Sequence, residues 1–245
     1  MGFDGRIALV TGAAGGIGGA IATAMAGLGA RVAVADVDGD GAARLAGGIG
    51  GLAVPMDVRD EESVRAGFAR ATAELGPVDV VVHAAGVVGG GGPLLTIPVD
   101  ALDTVLAVNV RGTFLVTRAA AEAMSGRGGA IVHISSAGAV QPTVGLGHYE
   151  ASKAAVNALT RSAALEFAPL GVRVNAVAPG PVETPLTAAA LASPEARAFW
   201  TERIPLGRVA TTADLVPAVL LLASPDSAHI TGTVLPIDGG QLLKG

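Results

Sequence analysis

Hydrophobic residues occur in short, nearly continuous runs along the first half of the chain. Strands covered on both faces of a parallel sheet have this pattern, because neither face meets water. Five such runs predict strands: Arg6–Val10, Arg31–Ala35, Leu52–Pro55, Val78–Val82 and Ala130–Ile134. Two later segments, Val172–Val177 and Thr233–Ile237, predict further strands. We therefore expect a parallel sheet of about seven strands.

Apolar positions with helical spacing separate the predicted strands. They predict helices over Gly16–Leu28, Asp60–Leu75 and Val99–Met124. The second of these begins with acidic residues, which favour a helix N-terminus. Strands that alternate with helices indicate an α/β fold with a doubly wound sheet. No charge block, proline-rich linker or repeat divides the chain, so we predict a single domain over residues 1–245.

Composition and charge exclude several classes of protein. With 51% hydrophobic residues in 245, the chain can bury a large core and is not intrinsically disordered. The net charge of −5, without a basic cluster, argues against nucleic acid and anionic membranes as partners. The apolar segment Leu215–Ala223 is far shorter than the ~20 residues that span a bilayer. The chain contains no cysteine and shows no secretion signal, so we expect a cytoplasmic protein.

A glycine-rich turn follows the first predicted strand. Gly12, Gly16 and Gly18 are spaced as G-x-x-x-G-x-G within Thr11–Gly18. Glycine lets the backbone approach a pyrophosphate, and the following helix N-terminus offers free N–H groups. An ordinary strand-to-helix turn is the alternative, because 36 glycines make chance spacings common.

Acidic residues follow the second and third predicted strands. Asp36 comes 18 residues after Gly18, at a position where a carboxylate can accept hydrogen bonds from the ribose hydroxyls of an adenosine. Its alternative role is that of a solvated turn residue, and Asp38 and Asp40 lie nearby. Asp57 after the third strand has the same two interpretations.

A tyrosine and a lysine stand four residues apart in a helical pattern. Tyr149 is the only tyrosine, and Lys153 is one of two lysines. A helix places positions i and i+4 on one face. A nearby ammonium lowers the pKa of a phenol, and such a pair can carry out general acid–base catalysis. An exposed helix pair is the alternative. Ser136 ends the fifth strand, where ligands of parallel sheets bind, and could donate a hydrogen bond to a substrate oxygen.

In combination, these motifs resemble the short-chain dehydrogenase/reductase family from Arg6 to about Gly240. The matching pieces are Thr11–Gly18, Asp57-Val58, Asn109, Ser136 with Tyr149-x-x-x-Lys153, Pro179–Thr184 and Asp238–Gly240. The resemblance implies a single Rossmann-type domain with a substrate lid around residues 183–205. Leu186, Leu191, Phe199 and Trp200 are available there to line a pocket.

The resemblance also implies roles for individual residues. In the family the tyrosine is the acid/base, the serine orients the carbonyl, the lysine assists the tyrosine and binds ribose, and the asparagine completes a proton relay. These roles carry over to Tyr149, Ser136, Lys153 and Asn109. Ser136 is preferred over Ser135 because it precedes Tyr149 by 13 residues, as in the family. The implied cofactor-binding residues are Gly12, Gly16, Ile17, Gly18, Asp36, Asp57, Val58, Ala85, Gly86, Tyr149, Lys153, Val182 and Thr184.

One position departs from the family pattern. His83 stands where the family has an asparagine that ties neighbouring strands together, and its ring can still donate and accept hydrogen bonds. We expect a local adjustment without loss of cofactor binding. The histidines show no metal-ligand spacing, so no metal is expected, and contact of His148 with the pocket is left open.

The predicted function is NAD(H)-dependent interconversion of a secondary alcohol and a ketone. Asp36 favours NAD, since Gly15 and Val37 occupy positions where NADP-preferring relatives have a cation. The alternatives are a 3-oxoacyl-(carrier protein or CoA) reductase and a nucleotide-binding protein without catalysis. Arg111, Arg118, Arg127 and Arg161 could form a basic patch for an acidic carrier. A homotetramer is expected from the mean hydropathy of +0.57 and from the family.

Overall fold

The centre of the molecule is a parallel β-sheet. The computed structural model describes residues 2–244, and in this range seven strands form one sheet in the order β3-β2-β1-β4-β5-β6-β7. The strands are β1 Ile7–Thr11, β2 Arg31–Asp36, β3 Leu52–Pro55, β4 Val80–His83, β5 Gly129–Ile134, β6 Val172–Pro179 and β7 Val234–Ile237. Every strand pair is parallel. The prediction of a parallel doubly wound sheet is therefore confirmed.

The strand boundaries differ slightly from those predicted. The fourth strand begins at Val80 instead of Val78 and continues to His83. The sixth strand extends to Pro179, two residues beyond the predicted end. Polar or proline residues can end a buried strand while still pairing through the backbone, so an apolar pattern alone stops short of them.

Eight α-helices connect the strands within residues 2–244. They are α1 Gly16–Gly27, α2 Gly39–Ile49, α3 Glu61–Leu75, α4 Val99–Val105, α5 Gly112–Met124, α6 Gly147–Phe167, α7 Pro194–Arg203 and α8 Thr212–Ala223. The helix predicted over Val99–Met124 is interrupted, because residues Leu106–Arg111 between α4 and α5 form a π-helical turn. Asn109 lies in this turn, which is a common place for functional residues.

Helix α2 was not predicted. Its sequence is rich in glycine, which disfavours helix, and it has few large apolar side chains. Its ends nevertheless carry strong signals. The Asp38 side chain accepts a hydrogen bond from the Gly41 N–H at the N-terminus, and Gly50 adopts a left-handed conformation with φ of 67° at the C-terminus.

Two hydrophobic layers cover the two faces of the sheet. One includes residues of α3, α5 and α6, such as Phe68, Leu115 and Ala163. The other includes residues of α1, α2 and α8, such as Ile21 and Val219. The apolar segment within α8 packs into the second layer through Val219 and Leu222, while Pro217 and Leu221 are exposed. No helix described in residues 2–244 is long and apolar enough to cross a membrane.

Candidate active site

A large cavity lies where the strand connections reverse direction. Strand β1 pairs with β2 on one side and β4 on the other, so chain connections diverge from this point. A cavity of about 530 Å³ opens there, at the carboxyl ends of the strands. Ligands of open α/β sheets bind at this position. Ten of the predicted cofactor-binding residues line the cavity: Gly12, Gly16, Ile17, Gly18, Asp36, Asp57, Val58, Ala85, Gly86 and Thr184.

Backbone atoms approach two glycines of the glycine-rich turn so closely that residues with a side chain do not fit at these positions. Gly12 has a φ of +64°, and a Cβ atom there would lie 2.6 Å from the backbone nitrogen of Ala85. At Gly18 a Cβ atom would lie 2.3 Å from the Gly12 carbonyl oxygen. Helix α1 begins at Gly16 and points its N-terminus at the cavity wall. The turn thus brings bare backbone and free N–H groups to one place, which suits a pyrophosphate.

Asp36 lies at the tip of β2 on the wall of this cavity. One carboxylate oxygen accepts a hydrogen bond from the Ala14 N–H, and the other accepts one from the Asp38 N–H, both at 2.9 Å. These bonds fix the carboxylate against the glycine-rich turn. Each carboxylate oxygen can accept more than one hydrogen bond, so acceptor capacity is left for a ligand.

Asp57 lines the same cavity and is paired with a cation. The Arg59 guanidinium donates three hydrogen bonds to the Asp57 carboxylate, at 2.7, 3.0 and 3.1 Å. Hydrogen bonding from Arg59 lowers the pKa of Asp57 below its usual value. Arg59 also lines the cavity, but its positive charge is matched by Asp57.

A second cavity of about 560 Å³ lies beside the first and has a mostly apolar wall. Ser136 and Tyr149 line it, together with residues of the segment expected to form the lid. Three of the four expected lid contacts, Leu186, Leu191 and Trp200, are on its wall. The fourth, Phe199, lines a neighbouring cavity instead, where its ring stacks under the Arg203 guanidinium at 3.5 Å.

A small cavity of about 100 Å³ joins the two larger ones. It shares Ile17, Gly86 and Thr184 with the first cavity, and Ser136 and Tyr149 with the second. The remaining predicted cofactor residues, Tyr149, Lys153 and Val182, line it. A ligand that extends from the first cavity into this passage would meet a ligand of the second cavity beside Tyr149.

Tyr149 and Lys153 lie in the first two turns of α6. The Lys153 ammonium donates a hydrogen bond to the Ile134 carbonyl at 2.8 Å and lies 5.8 Å from the centre of the Tyr149 ring. The Ser136 hydroxyl oxygen accepts a hydrogen bond from the Gly138 N–H at 3.1 Å. The hydroxyl proton of Ser136 is not used in this bond and can rotate toward Tyr149 or toward a substrate oxygen. In contrast, Ser135 is buried, and its single hydroxyl proton is engaged by the Asn157 side-chain oxygen at 2.5 Å, with the Lys153 carbonyl oxygen farther away at 3.3 Å.

The pKa of Tyr149 shifts in the opposite direction to the one expected from its neighbour Lys153. Burial raises the pKa of Tyr149 above its usual value, although hydrogen bonding with Ser136 opposes this rise. The lowering by Lys153 that we expected is not found, and the charge of Glu150 adds to the rise. Burial also lowers the pKa of Lys153, to about 8. Desolvation therefore disfavours the charged form of both groups.

Asn109 is held by three hydrogen bonds in the π-helical turn. Its side-chain oxygen accepts from the Val87 N–H, and its amide donates to the Val87 carbonyl and to the Ser152 hydroxyl, each at 2.9 Å. A Cβ atom at Gly86 would lie 3.3 Å from both the Asn109 side chain and the Lys153 ammonium. Asn109 therefore fixes the loop after β4 beside Lys153.

Two buried histidines support the strands below this site. His83 Nδ1 is 2.8 Å from the Thr11 hydroxyl, so His83 links β4 to β1. This contact is the local adjustment expected where the family has an asparagine. His133 lies between the hydroxyls of Thr117 and Thr160, each at 2.9 Å. His148 is buried, with Nε2 2.9 Å from the Val88 carbonyl oxygen.

Two residues on the wall of the second cavity were not singled out from the sequence. Glu150 is next to Tyr149, and its carboxylate accepts a hydrogen bond from the Thr143 N–H at 2.6 Å. Gln241 follows β7, and its side-chain oxygen is buried without a hydrogen-bond partner among the described residues. Adjacency to Tyr149 was a signal for Glu150, whereas no local pattern indicates Gln241.

The sheet order and the cavity at its reversal point define a Rossmann-type α/β protein. Comparison with known proteins narrows this class. A family model described as enoyl-(acyl carrier protein) reductase matches residues 12–241. A solved short-chain type dehydrogenase/reductase from Mycobacterium ulcerans superposes with a TM-score of 0.95 at 32% identity, covering 100% of this chain and 92% of that one. The chain belongs to the short-chain dehydrogenase/reductase family.

Two curated relatives are similar over nearly their whole lengths. Cis-4-hydroxycyclohexanecarboxylate dehydrogenase from Sinomonas cyclohexanicum is 42% identical, covering 97% of each chain. 2-(R)-hydroxypropyl-CoM dehydrogenase from Xanthobacter autotrophicus is 40% identical, covering 96% of this chain and 97% of the relative. Both names describe dehydrogenases of hydroxyl-bearing compounds.

Proposed function

We propose that this protein is an NAD(H)-dependent dehydrogenase/reductase that interconverts a secondary alcohol and a ketone. The observation that carries the proposal is the small cavity between the two large ones, where Ser136, Tyr149 and Lys153 meet. The names of the curated relatives support a hydroxyl-bearing substrate. Turnover of a panel of uncharged secondary alcohols, followed by nicotinamide absorbance, tests the proposal, and failure with every alcohol and both cofactors would overturn it.

The glycine-rich turn and its surroundings fit a dinucleotide. The space beside Gly12 and Gly18 exists only because neither residue has a Cβ atom, and Asp36 offers acceptors to the adenosine ribose. Asp57 and Val58 line the wall for the adenine, and Val182 and Thr184 line the passage. When bound, the nicotinamide supplies or accepts the hydride.

The protein's own residues handle the proton and the oxygen. The Ser136 hydroxyl donates to the substrate oxygen and orients it toward Tyr149. In reduction, the Tyr149 hydroxyl gives its proton to that oxygen; in oxidation, the phenolate takes the proton back. Lys153 favours the phenolate in this second role and offers its ammonium to the ribose. Asn109 holds the loop beside Lys153 and completes the proton relay.

Asp36 should make the enzyme prefer NAD(H). The 2′-phosphate of NADP would bring negative charge to a carboxylate that is fixed by Ala14 and Asp38. Two unit charges ~4 Å apart at an effective dielectric of ~20 repel by about 4 kcal/mol before salt screening, and half of that exceeds tenfold in affinity. We expect kcat/KM to be at least ~10-fold higher with NAD than with NADP.

Two variants test the cause of this preference. In Asp36→Ala the preference should largely disappear, whereas Asp40→Ala, which removes an exposed carboxylate nearby, should retain it. Equal kcat/KM values for NAD and NADP in the wild type would contradict the assignment of Asp36.

The alternative 3-oxoacyl reductase activity is supported by the description of the family model. The basic patch that an acidic carrier would need is weakened by ion pairs. Arg118 pairs with Glu61 and Glu122, and Arg127 pairs with Asp79. The net charge of −5 also opposes an acidic partner. A simple alcohol is therefore the favoured substrate, and a nucleotide-binding role without catalysis is disfavoured by the complete set of catalytic groups.

We also propose that the enzyme is a cytoplasmic homotetramer with a substrate lid around residues 183–205. In the family, the helices that correspond to Val99–Met124 and Tyr149–Phe167 pair across a two-fold axis. Apolar side chains are exposed on these segments: Leu106 is 38% exposed, Phe114 49% and Leu165 80%. Exposed apolar area is unfavourable in a monomer, and its burial between subunits would stabilise the tetramer.

The tetramer has a direct test. Sedimentation equilibrium at micromolar concentration should give four times the chain mass of 23.9 kDa. Leu165→Glu should weaken association, because the carboxylate would have to be desolvated at the contact. Leu28→Glu is the matched control, since Leu28 is exposed next to α1 on the opposite side of the sheet. A monomeric wild type would overturn the proposal.

A further inference from the structure

The wall of the second cavity carries a single kind of formal charge. Within the described residues 2–244, no lysine, arginine or histidine is among those that line it. Glu150 is the carboxylate on this wall, and only 7% of the residue is exposed. Most of the remaining wall is apolar, with hydroxyl and amide groups at a few positions. Burial raises the pKa of Glu150, while hydrogen bonding with Thr143 and the charge of His148 oppose this rise. A group bound in this cavity therefore meets a carboxylate that no cation described on the same wall neutralises.

Glu150 is fixed near the reacting groups. It follows Tyr149 directly in α6, and its carboxylate is tied to the loop before the helix by the Thr143 N–H. A Cβ atom at Gly138 would lie 3.1 Å from Cγ of Glu150 and 3.3 Å from the Ser136 hydroxyl oxygen, so Glu150 and Ser136 flank the same short turn. The negative charge of Glu150 also raises the pKa of Tyr149, as expected for a carboxylate close to the phenol.

The cations around this wall are engaged elsewhere. Lys153 lines the adjoining passage, where its ammonium donates a hydrogen bond to the Ile134 carbonyl. Arg203 and Lys244 line a neighbouring cavity that shares Thr143, Trp200 and Gln241 with the second one. The Arg203 guanidinium stacks on Phe199 and donates to the Phe199 carbonyl at 2.9 Å. The Lys244 ammonium donates to the Glu202 carbonyl. None of these three cations lines the second cavity.

We propose that the substrate cavity selects uncharged substrates over anionic ones and that Glu150 is the residue that imposes this selection. The proposal rests on the dehydrogenase function proposed above and narrows its substrate class to neutral, largely apolar secondary alcohols and their ketones. It separates this chain from the relative whose name specifies a carboxylate substrate. Burying a carboxylate beside another carboxylate costs both desolvation and repulsion.

A matched pair of ligands isolates the charge. 4-Oxocyclohexanecarboxamide and 4-oxocyclohexanecarboxylate have nearly the same shape and differ in charge. With NAD⁺ neither ketone can react, because no hydride donor is present, so binding is measured without turnover. Trp200, the only tryptophan, lines the cavity and reports binding through its fluorescence. Reduction of both ketones with NADH gives kcat/KM as the second measurement.

The wild type should bind and reduce the carboxamide at least ~10-fold better than the carboxylate, since unit charges within several ångströms interact strongly in a partly buried site. Glu150→Gln should reduce this ratio to within about threefold, because glutamine keeps an acceptor for the Thr143 N–H but loses the charge. Glu166→Gln, the same change at an exposed position of α6, should keep the wild-type ratio.

The possible outcomes separate this inference from the proposed function. Equal or better binding of the carboxylate by the wild type would overturn the inference, and this comparison needs no variant to fold. An unchanged ratio in Glu150→Gln, with normal NAD⁺ affinity, would also overturn the role of Glu150. Turnover of the alcohol panel tests the dehydrogenase function independently, since the binding measurement requires no catalysis.

Discussion

Tyr149→Phe should lose most of its turnover while binding the cofactor almost as well as the wild type. The substitution removes only the phenolic oxygen, which lies at the passage between the two large cavities. Proton transfer by a positioned side chain contributes about 100- to 10,000-fold to rate, so kcat should fall by that range. The ring stays in place, so NAD(H) affinity measured by calorimetry should change by less than about threefold.

Lys153→Met should differ from Tyr149→Phe in its effect on cofactor binding. Lys153 donates to the Ile134 carbonyl and stands beside Gly86, on the wall of the passage. Its loss should lower turnover and also weaken cofactor binding. Near-normal rates in Tyr149→Phe with a good substrate would show that another group transfers the proton.

The pH dependence of oxidation follows from the same pair. Burial raises the pKa of Tyr149 and lowers that of Lys153 to about 8. Oxidation needs the phenolate, so its rate should rise with pH in the alkaline range, and reduction, which needs the protonated tyrosine, should lose rate there. Tyr149 and Lys153 interact, so the profile reports the pair and not one residue.

Much of the fold could be predicted from the sequence because its strands are buried on both faces. β1 is buried at every position, so the run Arg6–Val10 contains almost no polar residue to obscure it. The glycine-rich turn was equally recognisable, since steric contacts at Gly12 and Gly18 exclude every other residue. At such positions a single requirement, burial on both faces or the lack of space for a Cβ atom, decides the residue type, so the residue type predicts the structure.

Other features depend on contacts that a local pattern does not contain. The interruption at Leu106–Arg111 keeps an apolar spacing close to that of an α-helix, so periodicity does not reveal the π-helical turn that places Asn109. Gln241 reaches the substrate cavity from the far end of the chain. The direction of the Tyr149 pKa shift was also wrong, because burial, which the sequence does not state, raises the pKa.

The largest pH effect on stability should come from the two histidines below the active site. His83 and His133 are 2% and 0% exposed, with ring centres 6.2 Å apart. Burial lowers the pKa of His133 to about 3 and holds that of His83 well below its usual value; repulsion by Lys153 adds to both, and repulsion by His133 to His83. Both rings are therefore neutral in the folded protein over the range in which unfolded histidine binds a proton.

The sign of the effect follows from proton binding. Below the ordinary histidine pKa of ~6.5 the unfolded chain takes up protons that the folded chain does not, so stability present above this pH is lost as pH falls. Each buried histidine contributes up to about 1.4 kcal/mol per pH unit to this loss. Between pH 6 and 4 the two histidines together should lower the free energy of unfolding by a few kcal/mol, in addition to the effect of titrating carboxylates.

His133→Gln should remove one titrating group and flatten the pH dependence of unfolding. The free energy of unfolding is measured by urea titration at one fixed protein concentration between pH 6 and 4. Its slope against pH should be smaller in the variant than in the wild type, by about 1.4 kcal/mol per pH unit. The slope is the measurement, because losing the contacts with Thr117 and Thr160 lowers stability at every pH. His229→Gln, at an exposed position, is the matched control and should keep the wild-type slope. Identical slopes in wild type and His133→Gln would mean that His133 is protonated in the folded state, which its buried position between two hydroxyls opposes.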